Sequence, residues 1–243
     1  MEVMPAPRRR SALVARLARE HGSSQAAILD ELRRCLLDGG VPPGSAIPLD
    51  EVAVVFGVSR IPVREALKTL IGEGLVEHRP NLGYTVAKLS AAELRELYLV
   101  RGVLEAAALA AAVPLAGAAE DEAVRAAHRA LESAVRANDV RGYHRESRGF
   151  HLALVRPCGM HRLLGMHESA WNVTEPLQPM AHVSEPDRLV LHRDHDALLT
   201  AFLARDTGAL LAASQEHQER LLSSLDAVPR DTGLLAGEDI RFT

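Results

Sequence analysis

Aromatic residues are scarce in this chain: four Phe, three Tyr and one Trp among 243 residues, or 3%. Sheet-rich folds draw on aromatic and β-branched side chains, so this shortage, beside abundant Ala and Leu, favours helix. Cysteine is almost missing as well. Cys35 and Cys158 are far apart and lack CxxC spacing. That excludes a disulfide framework, fits a reducing cytoplasm, and reads both thiols as small buried apolar groups. No run of about 18 apolar residues is present, so no membrane-spanning helix is expected; mean hydropathy is -0.01. The basic segment Met1–Arg10 lacks the apolar stretch of a signal peptide. HExxH, GxSxG and any visible nucleophile–base pair are missing too, which argues against an enzyme.

What is present is uneven. Lys and Arg number 28 against 32 Asp and Glu, a net charge of -4. Residues 1–89 hold 12 basic and 10 acidic side chains, and residues 90–243 hold 16 and 22. The front is therefore mildly basic and the remainder acidic. Nine of the 11 histidines fall between His128 and His217.

Residues 1–22, with Pro5, Pro7 and the run Arg8-Arg9-Arg10, read as a flexible basic arm that could touch phosphate, with a helical turn or two over Leu13 to Glu20. Ile28, Leu32, Cys35 and Leu36 recur at helical spacing and predict a helix over about 24–38. Gly39-Gly40 stop it, and Pro42-Pro43-Gly44 turn the chain. A second helix is expected over 49–56. Gly57-Val58-Ser59 then make a short turn, Ser59 is expected to cap a third helix over 60–73, and Gly74 ends that helix. Leu75 to His78 and Tyr84 to Val86 read as two strands of a hairpin whose tip carries His78, Arg79 and Asn81. Ser90-Ala91-Ala92-Glu93 is a capping box opening a helix over 91–112. Further helices are expected at about 119–137, 140–156, 160–175, 186–204 and 208–226. The resulting fold class is mainly α: an N-terminal winged helix-turn-helix with a small hairpin, then an antiparallel all-helical bundle. The expected division is a basic arm at 1–22, the winged unit at 23–88, a helical ligand-sensing and dimerisation unit at 89–228, and a loose tail at 229–243.

The third helix carries Val63, Ala66, Leu67 and Leu70 on one arc and Arg60, Arg64 and Lys68 on a neighbouring one. Such a helix can pack against its predecessor and offer cations to the major groove. The run Gly57-Val58-Ser59-Arg60-Ile61-Pro62-Val63-Arg64-Glu65-Ala66-Leu67, followed by Leu70 and Glu73-Gly74-Leu75-Val76, resembles the DNA-binding domain of the GntR family. The resemblance implies a homodimer on a palindromic operator in double-stranded DNA. It implies base or phosphate contacts by Arg60 and Arg64, and places Ser59 and Pro62 near the DNA backbone. Lys68, His78 and Arg79 complete the expected DNA-binding set. Leu82 stands where the family often has a wing Arg, and Asp50 where some members place a DNA-contacting Arg.

The second half is similar to the all-helical FCD effector domain of the FadR-type branch of that family. The likeness runs through Leu97 to Glu105, Phe150-His151, and His195 to His217. His144, Ser147 and His151 fall on one helical face, and facing helices of a bundle can gather such side chains in their core. The resemblance implies a divalent metal of the zinc or nickel class held by His151, His195 and His217, and an organic acid as effector. Ser147 occupies the place where metal-binding members carry an Asp, so three imidazoles plus water or the acid would make the ligand set. His128, His161 and His182 read as ordinary core or surface histidines. His144, His167 and His192 read as groups standing behind the ligands. Arg101 shares a face with Leu94, Leu97, Leu104 and Ala108 and should point inward, toward either Glu105 or an effector carboxylate. Trp171 and Asn172 are further candidates for the effector cavity. The whole reads as a ligand-responsive repressor in which the linker near Lys88 to Ser90 carries the signal. The rival readings are a metal-dependent hydrolase, since three histidines can activate water, and an architectural DNA-binding protein without a ligand.

Overall fold

In a computed structural model, described for residues 11–18, 24–80 and 82–226, the chain forms two compact units that part between Leu89 and Ser90. The first holds α1 (Gln25–Leu37), β1 (Ala46–Ile47), α2 (Leu49–Phe56), α3 (Arg60–Gly72), β2 (Val76–Arg79) and β3 (Gly83–Val86). Ile28, Leu32, Cys35 and Leu36 of α1 meet Val63, Ala66, Leu67 and Leu70 of α3 in one apolar core. The period of 3.6 puts these residues on single faces, and their burial holds the unit together. Gly57 ends α2 with a φ of 66°, and Gly83 enters β3 with a φ of 80°. Both lie in the left-handed region that glycine adopts without strain. The sheet is antiparallel in the order β1-β3-β2. His78 stands opposite Tyr84, and their rings meet at 4.6 Å.

Two expectations for this unit need correction. Residues 11–18 are not a free arm: Leu13 is fully buried, Val14 joins the core, and Ala18 donates its N–H to Glu31 at 2.8 Å. The apolar spacing of Leu13, Val14 and Leu17 gives the segment a face to bury. The remainder of the arm, with Arg8-Arg9-Arg10, lies outside the described residues, as do Asn81 and the tail after Asp226. Ser59 occupies the N-cap of α3, yet its hydroxyl makes no cap hydrogen bond. The short strand β1 was also not foreseen, because two residues carry no periodicity.

The second unit is a helical bundle of α4 (Ala91–Ala112), α5 (Ala118–Arg136), α6 (Val140–Val155), α7 (His161–Thr174), α8 (Glu185–Leu203) and α9 (Thr207–Asp226). Ser90 and Glu93 form the expected capping box. Helix α4 packs against α6, α7 and α9, while α5 packs on α6 and α8, and α8 on α9. With the following turn, α4 is long and apolar enough to cross a membrane by length and composition, contrary to expectation. The apolar-run count missed it because Arg101 and Glu105 interrupt the sequence. Those two side chains lie on its buried face with Leu94, Tyr98 and Ala108, as befits the central helix of a bundle.

Candidate functional site

The core of the helical unit is polar where a bundle core is normally apolar. His151 of α6, His195 of α8 and His217 of α9 are buried together, with one ligand nitrogen from each within 4.8 Å of the others. His151 Nε2 lies 3.2 Å from His195 Nε2. That separation is close to the edge of a tetrahedral site with metal–nitrogen bonds of about 2.0–2.1 Å.

Carboxylates orient two of the three rings. Glu105 of α4 meets His151 Nδ1 at 2.5 Å, and Asp194 of α8 meets His217 Nδ1 at 3.4 Å while also pairing with Arg220. With Nδ1 engaged, Nε2 is left to face the cluster, the arrangement that fixes tautomer and ring direction at metal sites. Burial, then the neighbouring rings of His217 and His151, hold His195 well below the ordinary imidazole range. His217 is lowered as well, chiefly by burial against the opposing pull of Asp194. Both therefore present neutral lone pairs at pH 7, as metal ligation requires. Burial pushes the Glu105 carboxyl up, but His151 and His167 outweigh it and hold the group well below the usual carboxylate range. The residues fit a divalent metal by donor chemistry and by spacing.

The three rings line a cavity of about 20 Å³ with Tyr98, Arg101, Tyr143, His144, Ser147 and Trp171. That is room for one water-sized occupant. An acid of several carbons enters only if the walls move. Met180 and Leu221 also form part of the wall. The Arg101 guanidinium lies 3.4 Å from the Trp171 ring centroid and 4.4 Å from that of Tyr98. No carboxylate among the described residues pairs with it, and its Nε is buried without a hydrogen bond. Glu105, one of the two partners considered for it, is taken by His151 instead. Ser147 stands at the cavity wall. Asn172 does not: it turns away to accept a hydrogen bond from Arg148. Sequence reasoning missed Tyr98, Tyr143 and Asp194. Asp194 carried a signal of its own, an acidic side chain directly before His195.

On the winged unit, Ser59, Arg60, Arg64 and Lys68 are exposed on α3, with Pro62 half-buried in its first turn. Arg60 pairs with Asp50 of α2, one contact being 2.8 Å, and Lys68 pairs with Glu65 at 2.8 Å. Arg64 makes no ion pair with any described residue. His78 is exposed on β2, and Arg79 bonds Glu77 at 3.0 Å. Ile61 was not anticipated: it is 69% exposed beside these cations, apolar surface suited to a thymine methyl group.

Comparison with known proteins places both parts of the chain in known domain families. Residues 24–86 match the family model of bacterial regulatory proteins, gntR family, and residues 96–220 match that of the FCD domain. The HTH-type transcriptional repressor RspR of Escherichia coli (strain K12) is 26% identical over 211 residues, covering 82% of this chain and 88% of that protein. The HTH-type transcriptional repressor GlaR of the same strain is 28% identical over 196 residues, covering 76% and 88%. Among solved structures, E. coli McbR/YncC has a TM-score of 0.73 at 23% identity, covering 83% of this chain and 96% of that one. A GntR regulator from Rhodococcus sp. RHA1 has a TM-score of 0.75 at 24% identity, covering 85% and 99%. At these identities the two structures bear on the fold alone.

Proposed function

Because this chain belongs to the GntR family of bacterial regulatory proteins and carries an FCD domain, we propose that it is a ligand-responsive repressor whose helical unit receives a small organic acid at a divalent metal. That it is a transcriptional regulator, and not an enzyme, follows from the family and its relatives. The observation that carries the finer reading is a buried guanidinium without a carboxylate partner among the described residues, sharing one cavity with three imidazoles. A buried cation of this kind calls for an anion.

In this reading His151, His195 and His217 hold a metal of the zinc or nickel class, and Glu105 and Asp194 steady the rings. The metal supplies a fixed positive charge that binds an anionic oxygen. Arg101 takes the other side of the acid's carboxylate in bidentate fashion, with Tyr98 and Trp171 packed against the guanidinium. Ser147 offers a hydroxyl to the ligand in place of a carboxylate, which leaves the site one negative charge poorer and more receptive to an acid. The cavity must grow to admit that acid. Its growth is the difference between two states that a ligand needs in order to shift their populations. Glu77 accepts the backbone N–H of Lys88 at 3.0 Å, so the chain leaving the wing toward Ser90 is tied down and can transmit the change.

On the DNA side, two winged units of a homodimer read a palindromic operator. Arg64 makes no ion pair among the described residues, and Arg60 is held by Asp50. The Ser59 hydroxyl, which makes no cap hydrogen bond, and the N-terminal amides of α3 suit a phosphate. Lys68, His78 and Arg79 add contacts at the rim. DNase footprinting of the DNA beside the protein's own gene tests the reading. The expected result is two symmetric protected half-sites, released by zinc plus a small carboxylic acid in the wild type and retained in Arg101→Ala. A footprint indifferent to every acid tried contradicts it.

A further inference from the structure

Phe150 touches a second group of metal-ligating side chains. Its ring lies 5.3 Å from that of His195 and 5.5 Å from that of His128. His128 belongs to α5. Facing it on α8 are His192 and Asp196, one helical turn apart and on one face. One ligand atom from each of the three lies within 4.8 Å of the others. His128 Nε2 is 2.9 Å from Asp196 Oδ1, and the two imidazoles stack at 5.6 Å with planes 19° apart.

The nitrogens are what set this group apart. His128 is 9% exposed, and its Nε2 is buried with no hydrogen bond among the described residues, although Asp196 lies within ion-pair distance. His192 Nδ1 is likewise buried and unpaired among the described residues. A buried polar atom is costly to leave without a partner, and each of these two rings carries one. Burial lowers His192 from the ordinary imidazole value. A metal ion satisfies both lone pairs and the carboxylate at once.

We propose that His128, His192 and Asp196 form a second divalent-metal site of the zinc class, separate from the core imidazoles. Two imidazoles and one carboxylate are a ligand set zinc accepts, with water filling the fourth position. In tetrahedral geometry, ligand atoms stand about 3.4 Å apart, so small side-chain rotations close the widest separation. The Asp196 side chain is 57% exposed, which keeps the site open to solvent and its metal exchangeable. Occupied, the site clamps α5 to α8, the helix that also bears His195.

Metal-stripped, full-length protein titrated with Zn²⁺ against a chromophoric chelator tests this, with Asp196→Ala and His192→Gln alongside. Asp196 is exposed, so its replacement preserves the fold, which circular dichroism verifies. Each variant is expected to bind one equivalent fewer than wild type. Equal stoichiometry in all three proteins overturns the proposal. A folded His151/His195/His217→Ala variant is expected to keep one equivalent that Asp196→Ala then removes, whether or not the core cluster binds metal. Failure of that variant to bind any zinc also overturns it.

Discussion

The two units of this protein treat charge in opposite ways. The winged unit keeps Arg60, Arg64 and Lys68 on the outside of α3, over a core that is almost wholly apolar. The helical unit buries Arg101, Glu105, Asp194 and six histidines: His128, His144, His151, His167, His195 and His217. Exposed cations cost little to fold and wait for a polyanion. Buried ones carry a desolvation cost that only correctly placed partners offset. The winged unit is therefore folded by its apolar residues and functions through its surface. In the helical unit the same side chains weigh on folding and on function, which makes its stability sensitive to what it binds.

The sharpest test of that contrast removes one carboxylate from each unit. Glu105→Ala, which strips His151 and His167 of their anionic neighbour, is expected to destabilise the protein by about 3–5 kcal/mol in urea unfolding. Asp50→Ala, which frees an exposed Arg60, is expected to change stability by less than about 1 kcal/mol. Similar losses in both would dissolve the contrast. Next in size is the response to metal. Zinc at roughly a hundred times its Kd should stabilise the protein by about 2.7 kcal/mol, read as a rise in Tm that shrinks in His195→Gln. An unshifted melting curve would count against the core cluster as a metal site.

Arg64→Ala should behave in the reverse manner. It is expected to weaken operator binding by about 1–3 kcal/mol while leaving stability within about 0.5 kcal/mol, as measured by gel shift and thermal melting. The smallest expected effect is a pH dependence confined to the helical unit. His195 and His217 resist protonation when folded, first because they are buried. As pH falls below about 6.5, the unfolded chain takes up protons that the folded chain does not, so stability declines with acidity. Replacing both histidines with Gln should flatten the metal-free stability profile between pH 7 and 5.

Much of this was legible in the sequence because it is local. The apolar arcs of α1 and α3, the Ser90–Glu93 capping box and the glycine and proline breaks are set within a turn or two of chain. What escaped was set by distant contacts. Glu105 could be placed on the inner face of α4 with Arg101, but its choice of His151 lies 46 residues away. Arg101 then rests on Tyr98, one turn back on α4, and on Trp171, which lies 70 residues further along the chain. Asn172 was misplaced for a reason the sequence did contain. The inner face of α7 is His167, Ala170, Trp171 and Thr174, and a residue next to Trp171 turns about 100° away from it. Ser59 failed as a cap because a suitable residue type does not ensure that its hydroxyl turns toward the helix.

The claim that joins the two units is that occupancy of the imidazole chamber alters the grip of α3 on DNA. Fluorescence anisotropy of full-length protein on DNA from beside its own gene measures this directly. The titration is run metal-free and then with zinc plus carboxylic acids of three to six carbons. The account predicts that at least one acid shifts the operator Kd tenfold or more, a coupling of about 1.4 kcal/mol. The same Kd under every condition, from protein shown to bind the operator, would contradict it.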